Sequence, residues 1–600
     1  MSKVNLPQKE ELVSRRLDLL RAELVQLGWS AYLVWGTDPH ESEYVAERWQ
    51  TRKWLTGFTG SAGMVAVTPQ AAGLWTDGRY HVQAETEIPS TVTLFKEGLP
   101  GVLTLADWLK NQLPPGSTVG VCAETTSYER YQKLAVSLAE VGLTLEAGPD
   151  PLDKLWTERP PAPHSPVWDY QAQVNLETRA EKLARLRQIL TLKKTSVVLS
   201  ALDDIAWLLN LRSQDIPFVP VFMAYALVSE DQALLFADLD RLSPVIPTLA
   251  RDGIQVRPYE AIEDELAKST GSLWFPPQTN LALLSAARRQ APPAQQPALF
   301  HQPSPVSALK TIKSSQELDL IREAHRKDGA ALVEFLTWWE TRPQELTELE
   351  AAQKLDEFRA GQGGWQGPSF DPIPGFREHG AIIHYKVSEG KGSPLSGDGL
   401  FLLDTGAQYL EGTTDVTRTL CIGTPLPLQR EDYTLVLKAH LQVSLAVFPQ
   451  GTRGYMLDAA ARHPLWKAGR QFYHGTGHGV GHFLSVHEGP PRLNSEPLPT
   501  ALEPGMVLSN EPGVYRPGQW GVRIENLVTV VEGPSTEFAD FLTWETLTLC
   551  PYERQLIDVA LLTAEEKAWV DQYHHNLKTV LFSRLSPQAQ RWLEKACAPL

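Results

Sequence analysis

Across residues 8–27 the apolar positions Leu12, Val13, Leu17, Leu20, Leu24 and Leu27 recur at helical spacing and Gly28 follows as a stop, which predicts a helix. Residues 31–35 are then apolar throughout, and 64–67 and 73–80 are further short runs closed by turn residues. Helices and strands therefore alternate as in an α/β domain. Past a proline-rich connection at 149–166 the plan returns: a helical segment over 176–192, an apolar strand at 196–200, and a strand pair at 223–228 and 233–236. Trp207-Leu208-Leu209-Asn210 here occupies the place of Trp54-Leu55-Thr56-Gly57. A pattern that occurs twice predicts a duplicated domain, not a solenoid. No ionisable cluster stands out in the second copy, which reads as a structural or substrate-gating domain. A second connection, 290–305, leads to Ser314 and Glu317, a capping box for a helix beginning near Ser315. Toward the carboxy terminus 541–549 reads as a strand, and Thr563 with Glu566 caps another helix.

Between 402 and 526 the apolar runs are interrupted by acids. Asp404 closes Phe401-Leu402-Leu403, and Asp415 lies in Gly412-Thr413-Thr414-Asp415-Val416; these read as two strands of a hairpin, each presenting a carboxylate. His478 sits in the glycine-rich stretch His474-Gly475-Thr476-Gly477-His478-Gly479-Val480-Gly481, where the backbone can approach a site closely. Glu511 and Glu525 follow in Asn510-Glu511-Pro512-Gly513 and Arg523-Ile524-Glu525-Asn526. Any one of these acids alone reads as a turn or surface residue. Gathered in one pocket, four carboxylates would raise one another's pKa unless cations held them ionised, and two divalent ions would do so. Carboxylate oxygens with one imidazole suit manganese, with cobalt, iron or zinc as alternatives. Two ions roughly 3.5–4 Å apart can hold a bridging hydroxide near neutral pH and polarise a neighbouring carbonyl.

At 600 residues the chain exceeds a single core and predicts three or more domains. A formal net charge of −16 disfavours a nucleic-acid surface. The cysteines, Cys122, Cys421, Cys550 and Cys597, are far apart, so neither a disulfide framework nor a cysteine-ligated zinc is indicated. The first residues lack the apolar core of a signal peptide and no run is long enough to cross a membrane. The expectation is a cytoplasmic protein with neither nucleic-acid nor membrane partner.

Taken in order, Gly-Thr-Thr-Asp-Val-Thr-Arg-Thr, His-Gly-Thr-Gly-His-Gly-Val-Gly, Glu-Pro-Gly-x-Tyr and Arg-Ile-Glu-Asn resemble the aminopeptidase P family, the Xaa-Pro aminopeptidases of the pita-bread metallopeptidase fold. The resemblance covers nearly the whole chain. It implies an α/β (α+β) protein with two creatinase-like domains, 1–150 and 151–308, followed by a pita-bread catalytic domain, 309–600, whose carboxy-terminal extension begins at about 535. It implies Asp404, Asp415, His478, Glu511 and Glu525 as metal ligands, with Glu511 also the general base and later acid. His384 and His487 are implied to face the substrate and orient the scissile amide, and His474 to bind substrate or order the pocket. Arg523, two residues from Glu525, is expected on the same strand face and among the substrate-binding residues, supporting a ligand carboxylate, with a plain salt bridge as the alternative. His482 is expected to be a packing residue. The implied reaction removes an amino-terminal residue that precedes proline in a peptide. A prolidase acting on Xaa-Pro dipeptides is the nearest alternative, and a non-catalytic pita-bread module that binds partner proteins a third. The aromatic carboxy-terminal tail, with Trp569, Tyr573 and Trp592, suggests a homodimer. One departure from the family pattern is Gly375-Phe376-Arg377-Glu378-His379-Gly380, where relatives carry a Pro-Asn-Gly type turn; it bears on substrate contacts, not on the metal set.

Overall fold

The computed structural model describes residues 6–289, 297–387, 390 and 392–600, and the chain divides into two compact units, Met1–Gln171 with Thr178–Val306 and Ser307–Leu600 with Ala172–Glu177. Part of the second connection, 290–296, lies outside the described residues.

The first unit holds the duplication. Its amino-terminal half is a helix, Leu6–Leu27, ended by Gly28 at φ 72°, and a six-stranded sheet. The strands run Thr93–Lys96, Ala72–Thr76, Met64–Val67, Ala31–Trp35, Thr118–Cys122, Thr144–Gly148 across that sheet. The second half repeats it: Ile254–Arg257, Ala233–Ala237, Ala224–Val228, Ser196–Leu199, Leu273–Trp274, Leu299–Phe300. The antiparallel and parallel pairings match step for step. Even the short helix ends agree. Thr51–Thr56 stops at Gly57 and Leu202–Leu209 stops at Asn210, both left-handed, a conformation open to glycine and tolerated by asparagine. The helix of the second copy starts at Arg179, later than its apolar pattern suggests, because Thr178 caps it with Glu181.

One expectation about this copy needs correcting, since it does hold a group of buried charges. Arg179, Lys182, Arg212 and Arg241 are all buried. Arg179 lies 2.5 Å from Asp169 and Arg241 2.7 Å from Asp215, while Lys182 donates to Asn210 Oδ1 at 2.7 Å. Buried cations survive when such partners are supplied, and the partners lie too far along the chain to be read from helical spacing.

The second unit opens with helix Ser315–Trp339, started by the reciprocal Ser314/Glu317 capping box, and continues through helices Glu348–Ala360, Pro427–Ser444 and Gly454–Lys467. These helices pack on two antiparallel sheets. One has Gly399–Thr405 between Ile373–Phe376 and Val416–Ile422. All seven residues of that central strand are buried, which is why it reads as an unbroken apolar run, and Phe401 stacks on Trp339 of the first helix with centroids 5.3 Å apart. The other sheet is ordered Phe448–Pro449, Asp540–Thr546, Asn526–Ser535, Val507–Asn510.

The tail folds back into this unit. Tyr573 is buried and stacks on Trp569 at 5.5 Å, Leu577, Leu581 and Leu593 join the same core, and Trp592 Nε1 donates to Glu340 at 2.7 Å. The part of the motive for a dimer that rested on the tail is thereby corrected: Tyr573 is buried and Trp569 and Trp592 are partly covered inside their own chain.

Candidate metal centre and substrate site

The four carboxylates reach one place by two antiparallel pairings. Asp404 lies on Gly399–Thr405 opposite Thr417, and after Thr405 the chain makes a small inner hairpin, Ala407–Tyr409 with Gly412–Thr413. Asp415 therefore falls one residue ahead of the returning strand Val416–Ile422, not within it. On the other sheet Asn510 pairs with Asn526 at the end of the ladder. Glu511 follows the first and Glu525 precedes the second, so the two glutamates leave that ladder as neighbours. The halves are joined by the Glu525 N–H donating to Thr417 O at 3.2 Å and by the Thr417 hydroxyl donating to Glu525 Oε2 at 2.8 Å. His478 arrives on Gly477–His478, whose backbone N–H donates to Ser509 Oγ at 3.0 Å. A Cβ on Gly477 would strike the Ser509 carbonyl, so only glycine allows this approach.

Several features fit the cluster to cations. His478 Nδ1 donates to Gly479 O at 3.0 Å, which leaves the lone pair on Nε2. That nitrogen faces Asp415 Oδ2 at 3.6 Å and Glu511 Oε1 at 3.5 Å, too far for a good hydrogen bond to either. One donor atom each of Asp415, His478 and Glu525 lie within 4.8 Å of one another. Asp404 Oδ1 and Asp415 Oδ1 are buried and accept no hydrogen bond. Burial, then Glu525 and Asp404, push the Asp415 carboxyl well above the usual range; burial and Glu525 do the same to Glu511; burial and Asp404 push Glu525 up to about 7. Added positive charge would favour the ionised form of such acids, and a set of carboxylate oxygens with one imidazole is what hard or borderline divalent ions take.

Arg523 supplies one cation, through Nη2 at 2.5 Å and Nε at 3.1 Å from Asp404 Oδ2. Its partner is thus Asp404 and not Glu525, because strand Trp520–Arg523 ends before Ile524 and the face it shared with Glu525 is lost. Arg523 Nη1 also donates to the Tyr515 hydroxyl at 2.7 Å. Tyr515 in turn meets His474 Nε2 at 2.9 Å, and His474 Nδ1 donates to Gly475 O. His474 is therefore connected to Asp404 through two intervening side chains. The His487 ring stands perpendicular to that of His478, with centroids 4.4 Å apart. His384 follows Ile383, whose carbonyl accepts from Arg523 Nη2 at 3.4 Å. His482 is buried and occupied elsewhere, with Nε2 3.1 Å from Glu411 O and Nδ1 3.6 Å from Glu317.

The residues behind the site escaped the sequence reading. Thr405 and Thr414, neighbours of the two aspartates, hydrogen-bond to a buried ion pair: Arg359 donates to Thr405 Oγ1 at 2.6 Å and to Asp328 at 2.8 Å, and Thr414 donates to Asp328 at 3.0 Å. Asn510 and Asn526, neighbours of the two glutamates, converge on His440. His440 Nδ1 donates to Asn510 O at 3.0 Å, and Nε2 accepts from Asn526 Nδ2 at 3.3 Å and Tyr552 OH at 3.1 Å. Arg418 donates to Asn526 Oδ1 at 2.8 Å and to the Glu525 carbonyl at 2.7 Å. The one available signal was a polar residue beside each acid within an apolar run.

This architecture has known counterparts. Residues 319–532 match the metallopeptidase family M24, and 540–600 match the C-terminal region of that peptidase family. Two separate stretches, 16–148 and 158–317, each match the creatinase/prolidase N-terminal domain. A probable Xaa-Pro aminopeptidase P of Laccaria bicolor is 38% identical over 98% of this chain and 94% of its own length. Aminopeptidase P2 of Arabidopsis thaliana is 36% identical over 99% of this chain and 89% of its own. The crystal structure of the X-prolyl aminopeptidase of Caenorhabditis elegans, described as a cytosolic enzyme with a di-nuclear active site, superposes with a TM-score of 0.92 at 34% identity, covering 98% of this chain and all of that one. The chain belongs to the Xaa-Pro aminopeptidase P family, within the M24 metallopeptidases.

Proposed function

We propose that the protein is a metal-dependent aminopeptidase that hydrolyses the bond between an amino-terminal residue and a following proline in peptides. The observation that carries the reading is His478 Nε2, turned by the Nδ1 bond to Gly479 O to face Asp415 and Glu511 at 3.6 and 3.5 Å, beside carboxylates that burial pushes toward the protonated form, in a chain of this family. Asp404, Asp415, His478, Glu511 and Glu525 would hold two divalent ions, manganese first, with cobalt, iron or zinc as alternatives. When bound, the ions supply a Lewis-acid centre that acidifies water and polarises the scissile carbonyl. The protein's own groups then have distinct tasks. Glu511, which burial and Glu525 favour as the acid in the bare protein and which bound ions would hold ionised, takes a proton from water and returns it to the departing proline nitrogen. His384 and His487 donate to the developing oxyanion, His474 orders the substrate pocket, and Arg523 fixes Asp404. The substrate is a peptide with proline second. Its scissile bond has no N–H, so recognition rests on the ring and on the free amino terminus beside Asp404.

A homodimer in the cytoplasm completes the reading. Tyr473 and Phe538, both strongly exposed on the catalytic unit, and the cytosolic description of the nematode enzyme support it.

Peptide cleavage tests the activity. Arg-Pro-Pro is expected to be cut after its first residue at least about tenfold better in kcat/KM than Arg-Ala-Ala, and its acetylated form not at all. Equal rates on the two peptides would sink the assignment, and a preference for the dipeptide Arg-Pro would make the protein a prolidase. Asp415→Asn is expected to abolish turnover with circular dichroism unchanged; full activity with metal retained would remove Asp415 from the ligand set.

A further inference from the structure

The stretch that departs from the family pattern, 375–380, opens the segment carrying His384, and one buried side chain holds that segment at three points. Glu348, fully buried at the start of helix Glu348–Ala360, accepts four hydrogen bonds. Oε1 takes the Phe376 N–H at 2.8 Å and His379 Nδ1 at 2.8 Å; Oε2 takes the Tyr385 hydroxyl at 2.9 Å and the Ser393 N–H at 2.7 Å. The donors therefore come from the beginning, the middle and the end of the stretch 376–393. Backbone contacts reinforce the far end, where Glu348 N donates to Ser393 O at 3.0 Å and Leu395 N to Leu346 O at 2.7 Å. Gly392 lies so close to Glu348 Oε2 that a Cβ there would collide with it.

His384 sits between two tethers. On one side the Ile383 carbonyl accepts from Arg523, which also binds Asp404; on the other the Tyr385 hydroxyl donates to Glu348. The His379 ring lies flat on Tyr385, with centroids 4.4 Å apart, and so limits the swing of that phenol. The base of the segment is backbone against backbone. A Cβ on Gly375 would come within 2.7 Å of Gly380, and one on Gly521, in the strand that carries Arg523, would strike the Gly380 carbonyl. A Cβ on Gly380 itself would lie 3.1 Å from the Gly375 carbonyl and 3.2 Å from Gly521 N, so both ends of the stretch are crowded by backbone.

We infer that Glu348 is a positioning residue for His384, acting through Tyr385 and His379, so that the departing loop sets the place of an oxyanion donor. Each carboxylate oxygen accepts one backbone N–H, from Phe376 on Oε1 and from Ser393 on Oε2, and both of these can only donate. An amide in its place would turn an N–H toward at least one donor and lose the geometry. Displacing a catalytic group by about 1 Å can cost as much as about 100-fold in rate. A donor that matters most in the transition state shows its loss in kcat more than in KM.

The inference rests on the proposed reading that His384 faces substrate, and the experiment separates the two. Tyr385→Phe removes a single hydroxyl from a half-buried ring. Its kcat on Arg-Pro-Pro is expected to fall roughly tenfold, with KM within about twofold and bound manganese and thermal midpoint unchanged. Glu348→Gln is expected to fall further, roughly 100-fold. Should that variant fail to fold, Tyr385→Phe alone decides. Wild-type kcat in Tyr385→Phe, or a fall that tracks metal loss, would overturn the tether provided His384→Ala is itself impaired. Wild-type activity in His384→Ala would instead overturn the reading of His384 and the inference with it.

Discussion

The aspartate pair and the glutamate pair are braced from behind by different chemistry. Behind Asp404 and Asp415 stands an ion pair, Arg359 with Asp328, whose members come from two helices and reach the aspartates' neighbours Thr405 and Thr414. Behind Glu511 and Glu525 stands a neutral imidazole, His440, with Arg418 directed at carbonyl and amide oxygens. Burial and Arg418 push the His440 pKa down to about 3, so its ring stays uncharged. The difference follows from what each brace must hold. Threonine hydroxyls on a hairpin offer weak handles and are gripped by charge. Asn510 and Asn526 already sit in a ladder and need only a group that accepts on one nitrogen and donates from the other.

Breaking each brace should expose the asymmetry. Arg359→Met leaves Asp328 ionised in a dry interior without its cation and is expected to cost about 3–5 kcal/mol. His440→Leu leaves Asn510 O and the donors from Asn526 and Tyr552 unmet, at about 1–3 kcal/mol. Urea unfolding of metal-loaded protein, followed by circular dichroism, measures both. A smaller loss for Arg359→Met than for His440→Leu would reverse the ranking of the two braces.

Acid and base should act on opposite sides of the comparison. His440 has a folded-state pKa lowered from the usual histidine value to about 3, so its contribution is present above about 6.5 and is lost as pH falls toward 3. Glu525 in metal-stripped protein is raised to about 7, so its contribution is present below about 4.5 and is lost as pH rises through 7. Each proton contributes a slope of at most about 1.4 kcal/mol per pH unit. Stripped protein should therefore lose stability relative to manganese-loaded protein between about pH 4.5 and pH 7 on scanning calorimetry, and the difference should level off above that. His440→Gln should flatten the acid side only. A profile between about pH 4.5 and pH 7 that manganese leaves unchanged would separate Glu525 from the ions.

What the sequence conveyed was what lies close along the chain. Asp404 at the end of an apolar run, the spacing to Asp415 and the glycines around His478 are local, and so is the capping box at Ser314. The duplicated sheet was legible because each copy carries its own period. The braces were not. Arg359 and Asp328 are separated by 31 positions, His440 and Asn510 by 70, and Arg418 and the Cys550 carbonyl by 132. A buried polar residue with a distant partner looks, in one dimension, like a surface residue. The same blindness hid Arg179 and Lys182, whose burial the helical pattern of their segment does not show. Arg523 does meet one of the expected carboxylates, Asp404, but the strand face it was to share with Glu525 is lost at the break at Ile524.

The finest test compares one hydroxyl from each brace. Thr414 donates to the Asp328 carboxylate at 3.0 Å, a charge-assisted bond, and its backbone carbonyl already shares the Ala407 N–H with the hydroxyl. Thr414→Val keeps the shape and removes that donor, at about 1.5–3 kcal/mol. Ser444 accepts from Asn510 Nδ2 at 3.2 Å and donates to His440 O at 3.0 Å, all between neutral groups. Ser444→Ala leaves Asn510 Nδ2 with its remaining bond to His440 O at 2.9 Å and should cost about 0.5–1.5 kcal/mol. The expected gap is about 1 kcal/mol between two substitutions that each delete one oxygen. Urea midpoints at fixed metal concentration resolve it. Equal losses would mean that the Asp328 charge adds nothing to the grip on Thr414, and the two braces would then differ in composition alone.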